Sequence, residues 1–230
     1  MFKIDLHVHT VKGSSDSGLL PQELIEESQR IGLDGVCLAE HGGGWNESTV
    51  EQEFRNSGLV VIPALEVTTE LGHVIAIGLN AHSPGIHKID TLRKVVDGEG
   101  GALISAHPMR NFFNAPPYNV NLLYKDWATP PSTPSEAAKH DLFSYMDYIE
   151  VTNGANSEEE NAFTLEIAMT LGISGTGGSD SHSVQGLGKS LTVFERPIID
   201  ADSLLSELRT GQFYPAEGLN VGKLEKYTTQ

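Results

Sequence analysis

Short apolar runs alternate with amphipathic stretches along the whole chain, and each run predicts an element by its period, two for strands and 3.6 for helices. Lys3 to Val8 reads as a strand and Gly35 to Ala39 as a buried one; Leu59 to Leu65, His73 to Leu79, Ala102 to Ala106, Tyr148 to Val151, Ile173 to Gly177 and Leu191 to Phe194 follow. Pro21 to Ile31 predicts a helix with proline in its first turn and Gly32 past its end. Ser48-Thr49-Val50-Glu51, Thr133-Pro134-Ser135-Glu136 and Ser157-Glu158-Glu159-Glu160 each predict a helix start, because a capping box satisfies two orphan backbone donors. The last of these opens a long helix ending near Gly172, and Thr91 to Asp97 and Asp202 to Arg209 read as shorter helices.

Strands alternating with helices argue for a mainly parallel sheet with helices outside it. About seven such units suit a closed or nearly closed barrel, smaller and less regular than the eightfold form. No repeat or linker divides the 230 residues, so one domain over 1-230 is expected. The segment at about 109-134 stands apart: Phe112, Phe113, Tyr118, Tyr124 and Trp127 lie among Asn and Pro residues. It reads as an irregular insertion, either a lid at the barrel mouth or a loop packing its rings on the rim.

Charge narrows the partners. With 15 Lys and Arg against 31 Asp and Glu, the net charge of -16 disfavours a protein that tracks long nucleic acid, whose grip rests on neutralising phosphates. No apolar run approaches membrane-spanning length, and Lys3 and Asp5 give the first strand none of the character of a signal peptide. The single Cys37, in an apolar run, excludes an internal disulfide and fits a reducing, cytoplasmic setting. Oligomeric state is not written in these features.

The candidate chemistry is in the histidines. Six of nine fall in short motifs: His7 and His9 in DLHVHT, His41 in AEH, His73 in LGHV, His107 in SAHP and His182 in GSDSH. Alternation on a strand points His7 and His9 to one side, where two imidazoles can share a metal or serve neighbouring ones. His9, His41, Glu66, His107, Asn153 and Asp180 each follow the apolar part of a strand, the end where barrel active sites are built. Glu66 is a natural carboxylate link between two cations, and the glycines before Asp180 let backbone approach an ion closely. His82, His87 and His140 lie outside the motifs and read as surface or helix histidines.

In this order, over about residues 3 to 190, the motifs resemble those of the polymerase and histidinol phosphatase (PHP) superfamily. The resemblance implies a distorted (β/α)7 TIM-like barrel with a metal site at the C-terminal ends of its strands, used mostly to hydrolyse phosphoesters. It implies one metal on His7, His9, Glu66 and Asp180, a second on Glu66, His73 and His107, and a third on Asp16, His41 and His182. The chain departs from the family by carrying Glu40, where Asp is usual, before His41, and by a longer segment from His9 to Asp16. Imidazole and carboxylate ligands suit two or three divalent ions of zinc, manganese or iron.

Charge also selects the substrate. Glu66, Asp180 and Asp16 offset about half of the charge of three divalent ions, and a phosphate monoester dianion plus hydroxide would neutralise the rest. A neutral amide would not. The expected activity is therefore hydrolysis of a small-molecule phosphate ester through a metal-bound hydroxide, with two ions ~3.5 to 4 Å apart. Asp180, His9 and His182 are the candidate catalytic groups, and Arg110, Lys189 and Asn153 the candidate substrate contacts. Glu150 and Asn153, at one strand's end, could equally orient metal-binding histidines. The alternatives are a nuclease or oligonucleotide-end hydrolase with the same metals, a metal-dependent amidohydrolase, and a non-catalytic metal-binding module.

Overall fold

The computed structural model describes residues 1–228. Its strands are β1 (Phe2–Val8), β2 (Gly35–Glu40), β3 (Val60–Thr69), β4 (Gly72–Ile77), β5 (Ala102–Ser105), β6 (Tyr148–Asn153), β7 (Gly175–Gly178), β8 (Ser190–Phe194), β9 (Phe213–Glu217) and β10 (Glu225–Lys226). They form one mixed sheet in the order β10-β9-β8-β1-β2-β3-β4-β5-β6-β7. The sheet curls until the segment after β7 meets β1: the His9 amide donates to the Ser181 carbonyl at 2.9 Å, and the Ser181 amide to the His7 carbonyl at 3.3 Å. Gly178 allows this closure, since a Cβ there would lie 2.5 Å from the His7 Cβ.

The regular strand-helix repeat expected from the sequence breaks at β4. Pairs β1–β2, β2–β3, β5–β6 and β6–β7 are parallel, but β4 runs antiparallel to both β3 and β5. Only Glu70 and Leu71 separate β3 from β4, and a parallel crossover needs about a dozen residues or more. The predicted strand at His73 therefore folds back as a hairpin. The predicted strand at Leu191 to Phe194, β8, pairs antiparallel with β1, and β9, beyond the predicted set, pairs antiparallel with β8.

Period-two alternation fills the interior. Ile4, Leu6, Cys37, Ala39, Ile62, Ala64, Ile75, Ile77 and Ile104 pack together there, with Leu204, Leu205 and Leu208 of α6 (Ala201–Thr210) against them. Outside lie α1 (Pro21–Ile31), α2 (Glu47–Phe54), α3 (Ile89–Gly98), the single turn α4 (Pro134–Ala137) and α5 (Glu158–Leu171). The capping signals held at α5, where Ser157 and Glu160 cap reciprocally and Gly172 ends the helix at φ 68°. At α2 the cap is Asn46, whose side chain accepts from the Thr49 amide, so the helix starts before the predicted Ser48. Among the described residues no helix is long and apolar enough to cross a membrane.

The 109-134 segment packs on the barrel flank. Phe112 stacks on Phe163 of α5, Tyr124 meets Trp127 edge-on, and both Phe112 and Trp127 lie against the core. Asn121 fastens its base by donating to the carbonyls of Pro108 at 2.8 Å and Arg110 at 2.9 Å. His140, read from sequence as a surface or helix residue, is buried against these rings, its Nδ1 accepting the Leu142 amide as the cap of a short 3-10 helix.

Candidate metal centre

The apolar interior gives way to polar side chains at one end of the barrel, on the same alternation. Ile62 and Ala64 lead to Glu66, Ile77 and Ile75 to His73, and Tyr148 to Glu150. His73 begins its strand, yet β4 is antiparallel, so its start lies beside the far end of β3, with Thr68 opposite His73. On β1 the pairing register shifts between Asp5 and Val8. Beyond that irregularity His7 and His9 enter the site, while Val8 joins the outer core. His107 and Asp180 both have left-handed backbones, at φ 29° and 53°, conformations costly for side-chain-bearing residues and found most often where function requires them.

Glu66 is the hub. Its Oε1 lies 2.9 Å from His73 Nδ1 and 2.9 Å from His107 Nε2. Its Oε2 lies 3.4 Å from His7 Nε2, 3.5 Å from His9 Nε2 and 3.3 Å from His41 Nδ1. One oxygen thus faces each of two ligand groups. Asp180 Oδ1 completes the first group, 3.5 Å from His7 Nε2 and 3.2 Å from His9 Nε2. The groups His7, His9, Glu66, Asp180 and Glu66, His73, His107 each bring their ligand atoms within 4.8 Å of one another.

The third expected group also comes together, with His9 beside it. Asp16 Oδ2 does lie 3.4 Å from His41 Nε2 and 3.3 Å from His182 Nε2. Its side chain is 56% exposed, however. His9, His41 and His182 form a further ligand group, with the His9 ring 4.3 Å from that of His182 and 4.5 Å from that of His41. The long His9 to Asp16 segment leaves Asp16 on the rim, where water competes with any cation for its carboxylate.

Hydrogen bonds decide which nitrogens are free. Ser14 Oγ donates to Glu40 Oε2 at 2.6 Å, so it must accept from His9 Nδ1, 3.0 Å away. The lone pair of His9 is thereby on Nε2. The Glu40 carboxylate also accepts from the Thr10 amide, the Thr10 hydroxyl and Trp45 Nε1, which fixes the loop carrying Ser14. Likewise His7 Nδ1 donates to Glu150 Oε1 at 2.9 Å. Both Nε2 atoms are buried without a hydrogen-bond partner. Two orphaned imidazole nitrogens aimed between two carboxylates fit a divalent cation, which would pair with all four.

The electrostatics agree. Burial lowers the His9 pKa to about 4, keeping its ring neutral as a ligand must be. Burial also works against charge on His7, but Glu150, Asp180 and Glu66 outweigh it and hold its pKa well above the ordinary value. Burial opposes ionisation of Glu66 and Asp180 too; the charge on His7 prevails, and both stay well below the usual carboxylate range. So much negative charge calls for a cation at this point, and a proton on His7 is the smallest form of it.

Arg110 lies at the edge of the centre, each of its nitrogens occupied: Nη1 on Asp180 Oδ2 at 2.5 Å, Nη2 on Asn153 Oδ1 at 2.7 Å and Nε on Asn156 Oδ1 at 3.1 Å. Asn153, expected as a substrate contact, is buried and holds Arg110 instead, while its side-chain Nδ2 donates to Glu150 Oε2 at 2.8 Å. Lys189 is outside the cluster: it is exposed, its stem lies beside Gly154, and its ammonium makes no hydrogen bond or ion pair among the described residues. Sequence reasoning missed Ser14, Asn156 and the roles of Asp5 and Glu40. Asp5 accepts from the Ser179, Gly188 and His7 amides, tying β1 to the loops around β7, and burial raises its pKa to about 6. The available signal was a carboxylate inside an apolar strand, as in Lys3-Ile4-Asp5-Leu6 and Tyr148-Ile149-Glu150-Val151.

Known proteins share this fold and parts of this sequence. The structure of PsfC from Pseudomonas syringae covers 89% of this chain and 88% of its own, with 20% identity and a TM-score of 0.59. A candidate metal-dependent phosphoesterase from Bifidobacterium adolescentis covers 90% and 95%, at 18% identity and 0.53. An amidohydrolase from Chromobacterium violaceum, solved with sulfate and no metal, covers 78% and 87%, at 15% and 0.55. In sequence, the uncharacterized protein MJ1587 of Methanocaldococcus jannaschii is 29% identical over 119 residues, 46% of this chain and 67% of that one. An error-prone DNA polymerase from Nocardia farcinica is 25% identical over 99 residues, 43% of this chain but 8% of the polymerase. Residues 158–213, from α5 into β9, match the PHP-associated family model, PHP_C. That match and the polymerase relative agree with the resemblance of the motifs to the polymerase and histidinol phosphatase superfamily.

Proposed function

We propose that this protein is a metal-dependent phosphoesterase acting on a small phosphorylated molecule. The observation that carries the reading is the convergence of the unpartnered Nε2 atoms of His7 and His9 on Glu66 and Asp180, beside a second group on the other oxygen of Glu66. Divalent zinc, manganese or iron held there would supply a water of lowered pKa and stabilise charge on phosphoryl oxygens. The chain's own residues do the rest. Glu66 fixes the spacing of the two ligand groups, while Ser14 and Glu150 set the tautomers of His9 and His7. Arg110, clamped by two asparagines, presents a fixed guanidinium to a phosphoryl group in place of its contact with Asp180. His182, at the rim with its Nδ1 donating to the Asp180 carbonyl, would in its protonated form pass the Nε2 proton to the leaving group.

Metal analysis followed by assay of phosphomonoesters, phosphodiesters, short oligonucleotides and amides on zinc-, manganese- and iron-loaded protein tests this. Hydrolysis of small monoesters is expected to dominate. A fully loaded protein that turned over none of the phosphoesters, or preferred amides or oligonucleotides, would overturn it.

A further inference from the structure

His82 and His87, which the sequence presents as surface residues, share a cavity with the metal centre. The cavity has a volume of about 440 Å³, within the range of small-molecule sites. His41, Glu66 and His73 form its inner side. The outer wall is His82, Ser83, Ile86 and His87. This wall is fixed: the His82 Nε2–H donates to the His41 carbonyl at 2.6 Å, and the His87 carbonyl accepts the Glu70 amide at 3.1 Å. Ser83 Oγ is buried there without a partner, a polar atom still owed a hydrogen bond. Ile86 offers an apolar surface beside it and is 3% exposed. Glu66 is the one carboxylate on the cavity, and five imidazoles already surround it. In a chain of net charge -16, such a recess favours an anionic ester over a cationic one.

We propose that this cavity holds the alcohol half of a sugar-phosphate ester, with His87 and Ser83 hydrogen-bonding its hydroxyls and Ile86 against its ring. The assignment rests on the phosphoesterase reading for the position of the phosphoryl group, and it names the residues that choose the substrate. A hydroxylated ring satisfies both the orphaned hydroxyl and the apolar wall. A bare phosphate satisfies neither.

Calorimetric titration of manganese-loaded protein with ribose 5-phosphate, adenosine 5′-monophosphate and inorganic phosphate tests it on wild type, His87→Ala and Ser83→Trp. Wild type is expected to prefer ribose 5-phosphate over inorganic phosphate by about tenfold or more, and His87→Ala to reduce that ratio several-fold. Ser83→Trp, which fills the cavity, is expected to abolish it. Preference for the nucleotide or for the free sugar phosphate identifies the source of the ring, and either supports the class. A wild-type ratio near one, or a ratio that neither folded variant alters, overturns the assignment. Discrimination without hydrolysis would sink the phosphoesterase reading and leave the cavity assigned; hydrolysis of p-nitrophenyl phosphate with a ratio near one would do the reverse.

Discussion

Ser14 Oγ lies 3.0 Å from His9 Nδ1 and donates its own proton to Glu40, so one hydroxyl sets the tautomer of a buried ligand histidine. Removing that hydroxyl in Ser14→Ala leaves the ring free to turn and its tautomer unset. Metal affinity is expected to fall about 10- to 100-fold, the usual cost of losing a partner behind a metal ligand. Competition titration against a chelator reads the change, and unaltered affinity would show that Glu40 and Ser14 only hold the loop.

Glu150 joins three parts of the centre, accepting from His7 Nδ1 at 2.9 Å, the His107 amide at 2.9 Å and Asn153 Nδ2 at 2.8 Å. Glu150→Gln preserves volume but replaces one acceptor with a donor that faces other donors. Weaker metal binding and lower kcat are expected together, with Glu150→Asp restoring less than the native side chain. If kcat falls while metal content and affinity stay native, Glu150 acts on substrate and not through His7.

Arg110 reaches Asp180 at 2.5 Å from an asparagine clamp. Arg110→Lys keeps the charge but loses the planar fork. For a phosphomonoester, Arg110→Ala is expected to raise KM by about tenfold or more, consistent with loss of a charge-assisted contact of about 1.5–3 kcal/mol. The lysine variant should recover only part. An unchanged KM with lower metal occupancy would mean that Arg110 serves Asp180 alone.

His140 gives a pH test away from the centre. Burial lowers its pKa below the ordinary 6.5, so the unfolded chain binds this proton more readily than the folded one. The stability it allows is therefore complete above pH 6.5 and is lost as pH falls through the folded value. His140→Asn keeps a cap acceptor for Leu142 but cannot titrate. The gap in Tm between wild type and variant should narrow from pH 7 to pH 5; a constant gap would refute the assignment.

Gly178 tests the barrel closure. A methyl group there would meet the His7 Cβ at 2.5 Å and Glu150 Oε1 at 2.6 Å. Gly178→Ala is expected to cost at least the ~1–3 kcal/mol of an overpacked core and to reduce metal content as well. Denaturant unfolding and metal analysis read the two effects, and native values in both would show that the closure is looser than described.

The sequence by itself determined most strand positions and the strand-end phase of His41, His107 and Asp180, because alternation with period two is a local property of the chain, whereas the two ligand groups around Glu66 were implied by the resemblance of its motifs to a known family. It could not determine the direction of β4, which follows from a two-residue connection and explains why His73 can begin a strand and still reach the site. Nor could it show that Asn153 grips Arg110, that His9 joins the third histidine group, or that Lys189 lies away from the centre. Those facts depend on which loops meet after the sheet curls. Tertiary structure alone decided the partners of Asp5, Glu40 and Glu150, since a buried carboxylate is tolerable only where donors from distant segments converge on it.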